Sequence, residues 1–361
     1  ALASDAMAET MALCVGCKAC KRECPTGVDM ARMKIEVAHR RAKTRGLSLR
    51  DRLVAWLPRY APTVSKLAPL ANLRNRSSVL RWLGERAVGL AAVRDLPHWS
   101  RAPFTEAPPA VGEGPEVALF ADTFNTWFEP DNARAAHAVL TRAGYRVQVA
   151  RAPDGGRPLC CGRTFLSVGL VDEARAEATR TLAALTPLIE RGMPVVGLEP
   201  SCLLTFRDEF KALLPGRETD RLAAAALLFE EFVVAERTAG RFELPFRALD
   251  ASSALVHGHC HQKAFGVAGA VAEALRLVPG LDVETIEASC CGMAGAFGHE
   301  AEHYDTSMAI GELDLLPAVR AAGDDVLLVA DGISCRQQIA HGAGRKAVHA
   351  AQVLARACAA P

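Results

Sequence analysis

The chain has no long hydrophobic run. None of its 361 residues sits in a stretch approaching the roughly 18 apolar positions a transmembrane helix needs, and its most apolar segment, read as a helix from Leu222 to Val234, is interrupted by Glu230 and Glu231. It also lacks an excess of one charge: 42 Lys and Arg stand against 41 Asp and Glu, a net +1 that argues against a general nucleic-acid binder. No secretory signal pattern is seen, so the twelve cysteines, which cluster in metal-type spacings, are expected to be reduced thiols in the cytosol rather than disulfides. No Gly-rich dinucleotide fingerprint follows the first expected strand, so the chain is expected to carry no flavin of its own.

What is present is concentrated sulfur. Cys14-Val-Gly-Cys17-Lys-Ala-Cys20-Lys-Arg-Glu-Cys24-Pro25 spells C-x2-C-x2-C-x3-C-P, the spacing by which a short loop wraps an iron–sulfur cube. Cys14, Cys17 and Cys20 converge on one [4Fe-4S] cluster, and Cys24 ligates that cluster or a neighbouring one. A zinc knuckle is the bland alternative. The motif occurs once, and no further cysteine appears until Cys160. Residue 1 is Ala. These two facts lead to the expectation that the chain is the C-terminal part of a longer polypeptide or one subunit of a complex, with the remaining cluster ligand outside it.

The expected architecture is α+β and multidomain. Residues 1–96 read as a helical, ferredoxin-like iron–sulfur domain, in which Asp29 to Arg45 forms a helix that Gly46 can stop. A Pro-rich linker covers 97–115. Residues 116–250 and 251–361 then read as two copies of one α/β unit with mostly parallel sheets. In each copy a strand, a helix and a second strand lead to Cys-Cys-Gly, and a further helix and strand lead to another Cys. Each of these cysteines falls just past a strand's carboxyl end, where open parallel sheets form ligand crevices.

In the second copy Cys260, Cys290, Cys291 and Cys335 offer four soft ligands for zinc or iron, with His257, His259 and His261 beside them. Buried structural cysteines are the alternative. The first copy keeps Cys160, Cys161 and Cys202. Asp122 stands where Cys260 does, and Glu199 precedes Cys202 by three, so a metal site there is less well provided. Arg163, Lys263 and Arg336 lie near strand ends, placed to bind a carboxylate or to face a flavin domain; solvating the crevice is the bland reading. His299-Glu300-Ala-Glu302-His303 spells H-E-x-x-H, the third and most remote reading, a zinc hydrolase. It follows a glycine-rich turn beside competing thiols, so capping or support by His303 is the better expectation. From Ala31 to Arg101 there are 16 Lys or Arg against 4 acidic residues. That is a solvated helical face or a docking face for anionic lipid, a partner subunit or an upstream domain.

Cys14 to Met30 and Cys290-Cys-Gly-Met-Ala-Gly-Ala-Phe-Gly-His-Glu300 resemble the C-terminal region of FAD- and Fe–S-containing D-2-hydroxyacid dehydrogenases, which act on D-lactate or D-2-hydroxyglutarate. The similarity extends through Asp122 to Pro130, His257 to Lys263 and Gly332 to Ile339. The Cys-rich half is also similar to the glycolate oxidase iron–sulfur subunit and to the B subunit of heterodisulfide reductase, whose repeats follow C…CCG…CxxC. Glu199 and Gly332 depart from that pattern at the first Cys of each CxxC, and Asp122 at the leading Cys. The resemblance implies FAD on an upstream region or partner and electron passage through the cluster to quinone or another acceptor. It also implies a chain that is inactive alone and cytoplasmic, or peripheral on the inner membrane.

Overall fold

The computed structural model describes residues 2–105, 113–153 and 155–358; positions 106–112 of the Pro-rich segment lie outside the described residues. The N-terminal third is helical, and its helices start where side chains can satisfy the first free N–H groups. The Asp29 carboxylate accepts the Arg32 N–H at 3.0 Å to open the helix Met30–Arg45, and Gly46, at φ +75°, closes it. Ser48 and Asp51 cap Leu49–Ala55 reciprocally, and Ser77 caps Ser78–Val88. The buried hydrophobics of this third are few and small, chiefly Ala31, Val37, Ala55, Ala61, Ala68 and Ala91. So little apolar volume cannot hold a layer of helices by itself. It leans instead on the α/β part: Trp56 meets Phe165 edge-on at 5.8 Å, and Ala61 packs with Trp127, Phe128 and Ile333.

The α/β part contains two parallel sheets. The first comprises β1 (Glu116–Phe120), β2 (Arg146–Val149), β3 (Val195–Gly197) and β4 (Ala226–Leu228), in the order β2-β1-β3-β4. The second comprises β5 (Ser253–Val256), β6 (Asp282–Thr285) and β7 (Leu327–Val329), in the order β6-β5-β7. All of these pairings are parallel, and β1, β2 and β3 occupy the places of β5, β6 and β7. The duplication is thus topological. β4 has a vestigial counterpart, a single parallel bridge between Val329 and Val348.

One sequence expectation fails here. Leu222 to Val234 is not one helix: it divides into the end of Arg217–Ala225, strand β4, and the start of Phe229–Thr238. Short apolar runs do not distinguish helix from buried strand. Here the edge of β3 decides, pairing Val195 with Ala226 and Gly197 with Leu228. The Glu231 carboxylate accepts the Leu228 N–H at 2.9 Å and starts the next helix there.

The two halves do not have separate cores. One buried cluster contains Val117, Leu119 and Val196 from the first sheet together with Val256, Val283 and Val329 from the second, joined by helices of both halves. Each sheet also buries its other face, the first with Phe120, Phe165 and Phe206, the second with Leu315, Leu328 and Ile339. The result is layered helix, sheet, shared helices, sheet and helix. Both sets of strand ends open toward the N-terminal helical third.

Candidate metal and electron-transfer centre

The strand ends carry the chemistry. Beyond β1 lies Asp122, beyond β2 Cys160 and Cys161, beyond β3 Glu199 and Cys202; beyond β5 come His257 to Cys260, beyond β6 Cys290 and Cys291, beyond β7 Cys335. All twelve cysteines are free thiols. In the second half the sulfurs run as a series of neighbours, Cys260 to Cys290 to Cys291 to Cys335, each near enough to the next to influence its thiol. Contact with Cys290 and burial push the Cys260 thiol up to about 12, so ligation there must release protons. The Gly292 N–H points at Cys290 Sγ at 3.4 Å, and the Gly162 N–H repeats this at Cys160 Sγ, 3.3 Å away. Such N–H···S bonds stabilise a thiolate and orient it as a ligand. Gly292 is obligatory at φ +85°, because a Cβ there would lie 2.2 Å from the Ser307 carbonyl oxygen.

The two halves differ in what replaces the absent thiols. Asp122 is a helix cap: its Oδ1 accepts the N–H groups of Phe124 and Asn125 at 2.9 and 3.1 Å, and its Oδ2 accepts the Asn125 amide at 2.7 Å. Glu199 accepts from the Ser201 hydroxyl at 2.9 Å and, across to the second half, from the Ile333 N–H at 2.9 Å. Burial, then the nearby Asp122 charge, raise the Glu199 carboxyl to about 7. Both carboxylates are therefore engaged within the fold, and the first half offers three thiols alone. In the second half a Cβ on Gly332 would lie 2.4 Å from His259 Cδ2, so the imidazole fills the room a longer residue 332 would need. Among the described residues, the groups whose ligand atoms all lie within 4.8 Å of one another contain no thiol. A tetrahedral zinc would draw its sulfurs to about 3.8 Å from each other. The four sulfurs of this half do not all meet that spacing.

The three histidines diverge. His257 is 1% exposed, and neither ring nitrogen has a hydrogen-bond partner; burial, then the Lys263 charge, lower it to about 3, so it is a neutral imidazole with a lone pair to offer. His259 caps the helix Cys260–Ala264 by accepting the His261 N–H at 3.1 Å. His261 turns the other way. Its Nε2 meets the Gly16 carbonyl at 3.0 Å and lies 3.2 Å from the Arg163 guanidinium.

Through that histidine the N-terminal cysteine loop docks beside the second-half thiols. Burial raises the Cys17 thiol, and the sulfurs of Cys260, Cys14 and Cys20 all lie near enough to reinforce the rise. Cys20 Sγ receives the Met30 N–H at 3.3 Å. Cys24 stands apart at the surface. Its Thr26 hydroxyl contact at 3.1 Å, followed by backbone N–H groups, lowers the thiol to about 7, which leaves a half-ionised ligand facing outward. The loop's anchor is Lys18, a non-glycine residue at φ +63° whose ammonium is buried against Asp208 and, at 2.8 Å, Glu209. Nothing in sequence spacing signals this pairing across some 190 residues.

The remaining expected residues are engaged inside the fold. Arg163 pairs with Glu209 at 2.6 Å, Lys263 donates to the Ala288 carbonyl, and Arg336 is buried with its Nε on Glu129 at 2.8 Å. The H-E-x-x-H residues fall on two short 3-10 turns, Phe297–His299 and Ala301–His303, rather than within a helix. His299 Nε2 faces Gln337 at 3.2 Å, and His303 Nδ1 pairs with Glu300 at 2.5 Å. The two imidazoles are not set on one helical face for zinc, which is the arrangement a zincin requires.

No family model matches the chain. It is 27% identical over 375 residues to the D-2-hydroxyglutarate dehydrogenase of Escherichia coli (strain K12), covering 97% of this chain and 34% of that protein. The corresponding Pseudomonas putida enzyme is 28% identical over 372 residues, covering 96% and 34%. The C subunit of the anaerobic glycerol-3-phosphate dehydrogenase of Escherichia coli (strain K12) is 27% identical over 331 residues, covering 90% of this chain and 81% of that polypeptide. The chain is thus related to dehydrogenase polypeptides. It spans about a third of the first two and most of the third, which is itself one subunit of a dehydrogenase.

Two variants test this geometry. Gly292→Ala should cost about 3 kcal/mol or more in chemical denaturation, through left-handed strain plus the clash with Ser307. Asp208→Asn should lower stability at neutral pH by about 2 kcal/mol, leaving Lys18 with Glu209 alone. Burial opposes ionisation of Asp208, but Lys18, Lys21 and Arg32 outweigh it and hold the carboxyl well below its ordinary range. Its contribution is therefore complete above about pH 4 and lost as the pH falls further. Denaturation of both proteins at about pH 7 and about pH 3 should show the gap narrowing at the lower pH.

Proposed function

We propose that this chain is the electron-carrying segment of a flavin-dependent D-2-hydroxyacid dehydrogenase, one that oxidises D-lactate or D-2-hydroxyglutarate. In this reading Cys14, Cys17 and Cys20 hold a [4Fe-4S] cluster, with Cys24 on the same cluster or an adjoining one. Cys260, Cys290, Cys291 and Cys335 hold a second iron centre, with His257 the imidazole free to join it. The observation that carries the reading is the seating of the N-terminal cysteine loop on the helix that Cys260 begins, through the Gly16 carbonyl, next to Cys17, at 3.0 Å from His261 Nε2. Bound there, the iron–sulfur groups would supply one-electron chemistry, which no side chain of this set supplies by itself. The chain's own residues fix the distance between the two thiol sets, exclude water through the buried Lys18 network and direct N–H groups at the sulfurs. FAD, and hydride removal from the hydroxyacid, belong to an upstream region or a partner; the acceptor is quinone or another oxidant.

Anaerobic reconstitution with iron and sulfide should give a broad visible absorbance that bleaches on titration with a reductant. In Cys17→Ser the iron and labile sulfide should drop by about four atoms each per chain, because thiolate is the ligand the cube needs. Full retention of both by the variant, or a chain that takes up zinc and no reducible metal, would replace this reading with that of a zinc-stapled docking module.

The same proposal includes a site of action at the membrane surface. No helix among the described residues is long and apolar enough to cross a bilayer. The helix Ser78–Val88 nevertheless exposes Val79, Trp82 and Leu83, and Leu67 and Leu70 are exposed just before it. Arg86 lies over the Trp82 ring at 5.4 Å, with Lys66 and Arg76 in the same stretch. Apolar tips among cations fit an anionic interface. The protein should sediment with phosphatidylglycerol vesicles but not with phosphatidylcholine ones, and Trp82→Ser together with Arg86→Glu should reduce binding by about tenfold or more. Equal binding by the double variant would remove this surface from the proposal.

A further inference from the structure

Glu230, Asp331 and His349 form a group without a cysteine, and all three are buried, with exposures of 0%, 1% and 0%. Glu230 opens the helix Phe229–Thr238 of the first half; Asp331 follows β7, and His349 caps the helix Ala350–Ala357, both in the second half. Their ligand atoms all lie within 4.8 Å of one another. His349 Nε2 faces the Leu198 carbonyl at 3.1 Å, so that nitrogen carries the proton and Nδ1 is the unprotonated acceptor on the side of the two carboxylates. Nδ1 stands 3.5 Å from Asp331 Oδ1 and 3.7 Å from Glu230 Oε1.

The hydrogen bonds leave this point electrically incomplete. Asp331 accepts from the Ala350 N–H and from the Gln262 amide, each at 3.1 Å, and His349 Nδ1 accepts from the Ala351 N–H at 3.0 Å. Neither oxygen of Glu230 has any donor. The nearby cation Arg336 is committed to Glu129 and to the Ala330 carbonyl, 2.6 Å from its Nη1. Two carboxylates thus converge beside His349 Nδ1 in a buried interior whose nearby cation is held by other partners, an arrangement that is costly unless a cation completes it; such an ion would take the Nδ1 lone pair in exchange for the Ala351 N–H.

We propose that these residues bind one first-row divalent cation at the junction of the two halves. The set of two carboxylates and one imidazole, with no thiol, suits Mn2+, Fe2+ or Zn2+ and separates this site from the cysteine centres. Its place gives it a role. The ion ties the first half's Glu230 to the second half's Asp331 and His349. Through Gln262, whose Oε1 also accepts the His259 N–H at 2.9 Å, it steadies the helix that begins at Cys260.

The test uses the full chain, freed of loosely held metal by a chelator and titrated anaerobically with Mn2+, the bound ion counted by electron paramagnetic resonance. One Mn2+ per chain is expected, with a melting midpoint raised by about 4 °C at a roughly hundredfold excess over Kd. Glu230→Gln and Asp331→Asn should each abolish binding and the thermal shift while leaving cysteine-bound iron unchanged. Absence of both Mn2+ binding and any thermal shift in the wild-type chain would overturn the proposal whether or not the variants fold. A Glu230→Gln protein at least as stable as wild type would then identify a proton on Glu230 as the balancing charge. Undiminished Mn2+ binding by both variants would refute the assignment to these residues.

Discussion

Lys18 sits in a left-handed turn, closed in by protein on all sides, with its ammonium held between Asp208 and Glu209. The seat of the N-terminal loop on the α/β part depends on that ion pair. A buried cation cannot be left without its counter-charges, so the loop has one seat on the α/β part. In that seat the Gly16 carbonyl reaches His261 and Cys17 comes beside Cys260. Arg32 and Lys21 add to the same carboxylate, which makes Asp208 the hub of a network joining loop, helix and sheet ends. Without this hub the cysteine motif would be a surface turn, chemically competent but connected to nothing.

Much of the architecture was legible because parallel strands buried on both faces leave short apolar runs separated by amphipathic helices. Arg146–Val149 falls where the pattern places it, and the helix after Asp29 ends at Gly46 as expected. β4 escaped because three apolar residues between two helices carry no period, and only the open edge of β3 makes them a strand. The thiols from Cys160 to Cys335 were legible as a set, since each follows a strand's carboxyl end. Their partners were not. Lys18 carries no signal of its pairing, Glu199 reads as a diluted ligand rather than a strut to Ile333, and His261 as a metal ligand rather than a contact to Gly16. Those roles depend on which remote backbone group arrives opposite the side chain, and spacing along the chain does not encode that.

The shared core alters what the duplication means physically. Each half repeats the same strand order, yet Val117 and Val283 belong to one buried cluster, so neither half completes its burial alone. The helical third has still less to bury. Its alanines fit against Phe165, Trp127 and Ile333, and Arg94, 1% exposed, donates to Gln338 at 2.6 Å and lies over the Tyr304 ring. Cooperative loss of structure across all three parts is the thermodynamic corollary.

The ring of His259 against Gly332 limits which residues position 332 accepts. Since a Cβ at 332 would meet that imidazole at 2.4 Å, a cysteine cannot be introduced there by a single change while His259 keeps its rotamer. Its Nδ1 is tied down by the His261 N–H, and the Gln262 side chain holds its backbone. Adding a fifth thiol to this half at position 332 therefore requires a displaced cap on the helix that bears Cys260. A descendant of this chain is more readily diversified at Asp122 and Glu199, whose neighbours are hydrogen bonds, than at Gly332, whose neighbour is a ring.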